Sequence, residues 1–149
     1  MSRLNYAAVA PEGIKALYNL STYAVKSTID ASLKHLIDLR VSQINGCAYC
    51  MNMHSEEARS AGETQQRLDI LPGWHETSFF TDRERAALAW AESVTLVSET
   101  HVPDDVFAAV KEHFSEREIV DLTLIIATIN AWNRLAITFR SEPEVRKAG

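Results

Sequence analysis

Apolar residues recur along this chain at intervals of three and four and almost nowhere at strict intervals of two, which is the period of a helix rather than a strand. In the segment DASLKHLIDLRVSQI, Leu33, Leu36, Ile37, Val41 and Ile44 fall on one helical face; Asp30 stands where an N-cap belongs and Asn45-Gly46 supplies the stop. The same reading gives a helix from Pro11 to about Lys26 and another from Cys47 to Gly62, where the glycine suits a left-handed C′ position. A short helix through QQRLDIL is closed by Pro72-Gly73. TDRE at 81–84 is a capping box that opens a helix to about Val97, and Pro103 starts another. SERE at 115–118 is a second capping box, and Ile119, Leu122, Ile126, Ile129 and Leu135 mark a long final helix that ends before Pro143. With no repeat, low-complexity tract or linker in between, the pattern predicts an all-α fold: a single helical domain, 1–149, of about six to seven helices.

Composition narrows what such a domain does. The 149 residues, 46% hydrophobic and 23% charged, bury a core without disulfide staples. A net charge of −5 at pH 7 argues against nucleic acid as a partner, because phosphate backbones are repelled. The start, MSRLNYAAVAPEG, lacks the apolar run of a signal peptide, and the apolar stretch IVDLTLIIATI at 119–129 is too short and interrupted to span a bilayer. The chain is therefore read as cytoplasmic, with no membrane partner. That stretch nevertheless exceeds what one helix face needs, which predicts burial between subunits.

The two cysteines of the chain sit together in NGCAYCMNMH, residues 45–54. In a cytoplasmic protein such a pair is expected to be catalytic or metal-binding rather than structural. Cys47, Cys50 and His54 stand at i, i+3 and i+7, along one side of a helix. Cys47 in the first turn gains from unpaired backbone N–H groups and the helix dipole, which favour a thiolate, and Cys50 still feels part of that field. His54, one turn beyond Cys50, is placed to accept its proton. A low-pKa thiolate with a second thiol in disulfide reach is the equipment of a peroxidase or a dithiol reductase. Three other readings stand beside it. The cysteines can be inert core residues, a zinc site can use Cys47, Cys50 and His54 with His35 as fourth ligand, or the pair can belong to a thioredoxin-like motif, which requires a strand that is missing before Cys47.

The run LIDLRVSQINGCAYCMNMHSEEARSAGE, 36–63, resembles the core of the alkylhydroperoxidase D-like family within the carboxymuconolactone decarboxylase superfamily. FTDRERAALAWAESVT and INAWNRLAITFR are similar to the later helices of its small single-repeat members, so the likeness covers about residues 30–140. The resemblance implies an all-helical fold assembled as a homo-oligomer, a trimer or hexamer. It also implies reduction of an organic hydroperoxide at the cysteine pair, with no cofactor and with a dithiol as electron donor. The decarboxylase branch lacks the pair, which argues against lactone decarboxylation. Carried over residue by residue, the resemblance makes Cys50 peroxidatic, Cys47 resolving and His54 the proton-transfer group. The family's relay glutamate falls on His35, where this chain departs from the pattern; His35 is taken as a possible relay in place of Glu, with Asp38 one turn along either orienting it or exposed without a role. The alternatives are a dithiol-disulfide oxidoreductase and a non-enzymatic redox sensor or zinc-binding module. His75, His101 and His113 read as surface residues, Trp90 and Trp132 as core or subunit-contact aromatics, and Arg40 and Arg134 as partners of carboxylates.

Overall fold

Three of the expected helix starts are held by the side chains the sequence assigned to them. In a computed structural model, which describes residues 1–148, Asp30 accepts the Leu33 N–H at 3.0 Å and opens α3 (Ala31–Asn45). Thr81 and Glu84 form the capping box of α6 (Asp82–Thr95), and Ser115 and Glu118 that of α9 (Glu116–Phe139). The remaining elements are α1 (Tyr6–Val9), α2 (Pro11–Val25), α4 (Ala48–Ser60), α5 (Gln65–Ile70), α7 (Val97–Thr100) and α8 (Asp104–Lys111), with a 3₁₀ segment over Leu71–Glu76. The described residues are all-helical, as expected, but in nine helices rather than six or seven. The two additions, α1 and α7, are four residues each, too short for periodicity to register.

The core lies where α3, α6 and α9 meet. Leu36, Ile37 and Val41 of α3, Leu88 of α6, and Leu122 and Ile126 of α9 are completely excluded from solvent. A buried side chain of this kind contributes about 1.5–3 kcal/mol of transfer free energy. Most apolar positions at 119–129 are covered within the chain, because α9 packs against α2, α3, α4, α6 and α8, while Val120 remains 56% exposed. At 24 residues α9 is long and apolar enough to cross a membrane, longer than the stretch suggested, yet it also buries Asp121 and Asn133 within the bundle.

Asp121 ties α2 and the turn before α3 onto α9. It is fully buried and accepts the Tyr23 hydroxyl at 2.6 Å, the Thr28 N–H at 3.0 Å and the Thr28 hydroxyl at 2.8 Å. Burial alone pushes the carboxyl up, but the hydrogen bonds from Tyr23 and Thr28 and the Arg117 charge outweigh it and hold the group at about 2. The stability this provides is therefore complete above the ordinary value near 3.8 and is lost as pH falls through about 2. We expect Asp121→Ala to destabilise the protein by about 2–4 kcal/mol in urea at neutral pH, since three donors lose their acceptor, with the deficit shrinking in acid.

Candidate active site

The site begins with a backbone reversal. Gly46 adopts φ +69°, a left-handed conformation, and its N–H bonds the Gln43 carbonyl at 3.2 Å while the Cys47 N–H bonds the Ser42 carbonyl at 3.0 Å. These bonds close α3, and α4 starts on the next residue. Cys47 is thus the N-cap of α4 rather than a member of its first turn, and its sulfur accepts the Cys50 N–H at 3.4 Å. Sulfur is a weak acceptor when protonated, so this capping role favours the thiolate. At the other end of α4 the expected stop holds: Gly62, at φ +99°, sits just past the helix.

Both cysteines are free and buried, and they share a proton unequally. The Cys50 thiol donates to the Cys47 sulfur; against the opposing effect of burial, that bond, the Cys50 N–H, the His54 charge and the Asn133 amide hold Cys47 at about 7. Cys50 is pushed up for the complementary reason: its proton is held by Cys47, it is buried, and the Cys47 charge lies beside it. Of the two thiols Cys47, whose sulfur accepts the Cys50 N–H at the N-cap, is the one pulled down, and Cys50 the one pushed up.

Cys50, His54 and His35 all line one cavity of about 410 Å³; Cys47 lies behind it. Tyr6, Tyr18, Tyr49 and Trp132 contribute aromatic walls, with Ile125 and Ile129 from α9 between them. Trp132 packs against the core, as expected, and also forms a cavity wall, held by a bond from its indole N–H to the Ser21 hydroxyl at 2.8 Å. The N-terminal segment reaches the same cavity because the Arg3 N–H donates to the Phe139 carbonyl at 2.9 Å and Tyr6 packs on the Phe139 ring.

On the far side of His54 stand three groups. The His54 Nδ1 is 2.9 Å from the Glu57 Oε2 and 3.9 Å from the Asp38 Oδ2. Asp38 is not an exposed carboxylate and does not orient His35: it is buried and paired with the Lys34 Nζ at 2.6 Å. His35 instead faces Glu57, its Nδ1 3.9 Å from the same Oε2 and without a hydrogen bond. The zinc reading loses its fourth ligand to this arrangement, and among the described residues no cluster of three His, Cys, Asp or Glu is placed to hold a metal ion.

Two residues of the site escaped the sequence reading. Glu57 carries a usable signal, since it follows His54 at i+3, but Glu56 beside it is an equal candidate until the helix is built. Asn133 carries none: it is fully buried on α9, donates to the Ser42 hydroxyl at 3.1 Å, accepts from Asn45 at 2.9 Å, and favours the charged form of both thiols. Elsewhere Trp90 is a core residue bonded to Thr123, and Arg40 pairs with Glu92 as expected; Arg134 does not find a carboxylate and bonds Asn130.

The model of the carboxymuconolactone decarboxylase family matches residues 11–93, more than half of the chain, from the start of α2 into the last turn of α6 around the cysteine pair. The chain belongs to that family. Within this carboxymuconolactone decarboxylase family member, 135 residues are 44% identical to the uncharacterised protein YdfG of Bacillus subtilis, over 91% of this chain and 92% of YdfG. A crystal structure of an Agrobacterium tumefaciens protein of unknown function, for which an antioxidant defence role of the AhpD kind has been suggested, superposes with a TM-score of 0.96 at 43% identity, covering 98% of this chain and all (100%) of that one. The alkylhydroperoxidase AhpD core of a peroxidase-related protein from Ralstonia eutropha shares the fold at a TM-score of 0.82 and 23% identity, over 93% of this chain and 74% of that chain. The carboxymuconolactone decarboxylase family member described here thus stands on the alkylhydroperoxidase D-like side of the superfamily.

The unequal proton sharing has a direct consequence in titration. Reduced protein followed by ultraviolet thiolate absorbance should release one proton per chain near pH 7, with no second thiol step below the ordinary thiol value near 9. Cys47→Ser should abolish the early step. An unchanged early step in that variant would place the first charge on Cys50.

Proposed function

We propose that this protein is a cofactor-free thiol peroxidase that reduces organic hydroperoxides through Cys50 and Cys47. The observation that carries the reading is the position of Cys50: it is the sulfur on the wall of a largely apolar cavity, with an imidazole beside it and a second thiol behind it. An alkyl or aromatic hydroperoxide suits such a cavity because its organic group replaces water against the aromatic walls.

The steps balance without a metal or cofactor. The Cys50 S–H turns from the Cys47 sulfur toward the His54 Nε2 and gives up its proton there as the Cys50 sulfur attacks the outer peroxide oxygen; the S–O bond forms, the O–O bond breaks, and His54 returns the proton to the departing alkoxide. Cys50 is left as a sulfenic acid and the substrate as an alcohol. The Cys47 thiolate then attacks the Cys50 sulfur, forming the disulfide and expelling hydroxide, which leaves as water. A dithiol donor reduces the disulfide by exchange. In the reduced pair Cys47 is the sulfur held below the ordinary thiol value, by the Cys50 hydrogen bonds above all, which suits it to the resolving role.

His35 enters this reading as a secondary relay between the Glu57–His54 pair and solvent, in the place the resemblance gives to glutamate. The same reading makes the protein a cytoplasmic homo-oligomer, trimer or hexamer, for which the exposed apolar residues Tyr18, Tyr23 and Val25 of α2 offer surface.

The test is turnover of a panel of hydroperoxides with a small dithiol donor. Wild type should consume hydroperoxide catalytically and Cys50→Ser should not, while His35→Ala slows turnover by roughly 10²-fold, the lower end of general acid–base assistance. Loss of two thiols per chain without turnover would favour a redox sensor. Preference for disulfide substrates over every hydroperoxide would favour the oxidoreductase alternative.

A further inference from the structure

Glu57 follows His54 by one turn of α4, and its Oε2 stands 2.9 Å from the His54 Nδ1. Its carboxyl is held below the ordinary range, first by the hydrogen bond with His54 and further by the charges of His54, His35 and Lys34, against the opposing effect of burial. An ionised carboxylate has no hydrogen to give, so the hydrogen in this contact sits on Nδ1. In the neutral form, in which His54 can act as a base, the imidazole carries hydrogen on one nitrogen only, which leaves Nε2 as a bare acceptor. That atom is buried, has no hydrogen-bond partner, and belongs to a residue that is 7% exposed and lines the cavity with Cys50.

We infer that Glu57 is the positioning residue of the site: it locks His54 in the Nδ1–H tautomer and thereby presents Nε2 to the cavity as the acceptor for the Cys50 proton. The destination of the proton rests on the peroxidase reading; the tautomer does not. The other groups around His54 do not compete for the role. Asp38 on α3 is 1 Å farther from Nδ1, at 3.9 Å, and is engaged by Lys34 at 2.6 Å. His35, also on α3, meets the same Glu57 oxygen and adds a second imidazole to it rather than a second carboxylate. Cys47 and Cys50 lie toward the start of α4; α2 and α9 bring Tyr18 and Trp132 to the cavity and no charged side chain, and α1 brings Tyr6. Glu57 is therefore the only full negative charge in direct contact with Nδ1 among the described residues. When Nε2 takes the Cys50 proton, the imidazolium has both nitrogens protonated and the carboxylate already in place, so no group has to reorient to stabilise it.

The tautomer is read directly by long-range ¹H–¹⁵N correlation of the histidine rings in reduced, full-length protein at mildly alkaline pH, and the chemistry by kcat and KM for hydroperoxide reduction. Wild-type His54 should show hydrogen on Nδ1 alone. Glu57→Ala should shift His54 toward hydrogen on Nε2 and lower kcat by about 10²-fold with little change in KM. Glu57→Gln keeps an acceptor oxygen without the charge, and is expected to retain the Nδ1–H tautomer while still lowering kcat. Hydrogen on Nε2 in the wild type, or an unchanged tautomer in Glu57→Ala, would overturn the inference; so would wild-type kcat in both variants. A wild type that consumes no hydroperoxide overturns the peroxidase reading alone, because the tautomer measurement is independent of it.

Discussion

Between α3 and α4 the chain turns back on itself within Gly46 and Cys47, and the thiol, imidazole and carboxylate that α4 brings to the cavity take their places from that turn. The Cys47 N–H is spent on the Ser42 carbonyl of the helix that ends, and the Cys47 sulfur on the Cys50 N–H of the helix that begins. One residue thus closes α3 and caps α4. A side chain at position 46 would meet no neighbour within 4 Å, so the glycine is there for its left-handed backbone and not for space; replacing it costs about 1 kcal/mol or more in conformation alone. With the start of α4 so fixed, the 3.6-residue repeat of the helix carries Cys50, His54 and Glu57 down one side at i, i+4 and i+7 from Cys50. Thiol, imidazole and carboxylate then need no loop to bring them together.

The same turn decides which sulfur is charged and which is reachable, and it assigns these to different residues. Cys47 collects the N–H of Cys50, its S–H and the Asn133 amide, so the negative charge settles there. Cys50 collects the cavity. A buried charge of this kind is expensive unless hydrogen-bonded, and the chain meets that demand with an amide held on α9 by Ser42 and Asn45 of α3. The second buried charge, Asp38, is handled differently, by a lysine one turn earlier on its own helix. Glu57 keeps one side toward solvent, its side chain 45% exposed, and stays ionised through its hydrogen bond with His54, helped by the nearby charges of His54, His35 and Lys34.

How far the sequence can be read follows from where each signal resides. Helix caps are local: Asp30, Thr81–Glu84 and Ser115–Glu118 act within one turn of themselves, and all three were readable and hold. The C-x-x-C-x-x-x-H spacing is likewise local to one helix, so Cys50 and His54 could be placed in advance, and His35 on the helix before them reaches the same cavity. Cys47 was read one position too deep because a residue that both ends one helix and starts the next looks, in sequence, like the first residue of the second. Non-local partners were not readable. Asn133 lies more than eighty residues from the cysteines, and Asp38 had equal claims to solvent and to a partner until α3 was packed. The apolar excess of α9 could not be apportioned in advance, because periodicity counts apolar positions but not the neighbours within the chain that cover most of them.

The central claim is that Cys50, not Cys47, is the sulfur that meets the oxidant. It is tested most directly in Cys47→Ser, where no resolving thiol remains: one equivalent of an organic hydroperoxide is added to reduced protein in the presence of a sulfenic-acid trap, and the adduct is located by peptide mass spectrometry. The structure predicts one adduct per chain, on Cys50. A variant that yields no adduct there, while Cys50→Ser treated in the same way forms one on Cys47, would contradict it.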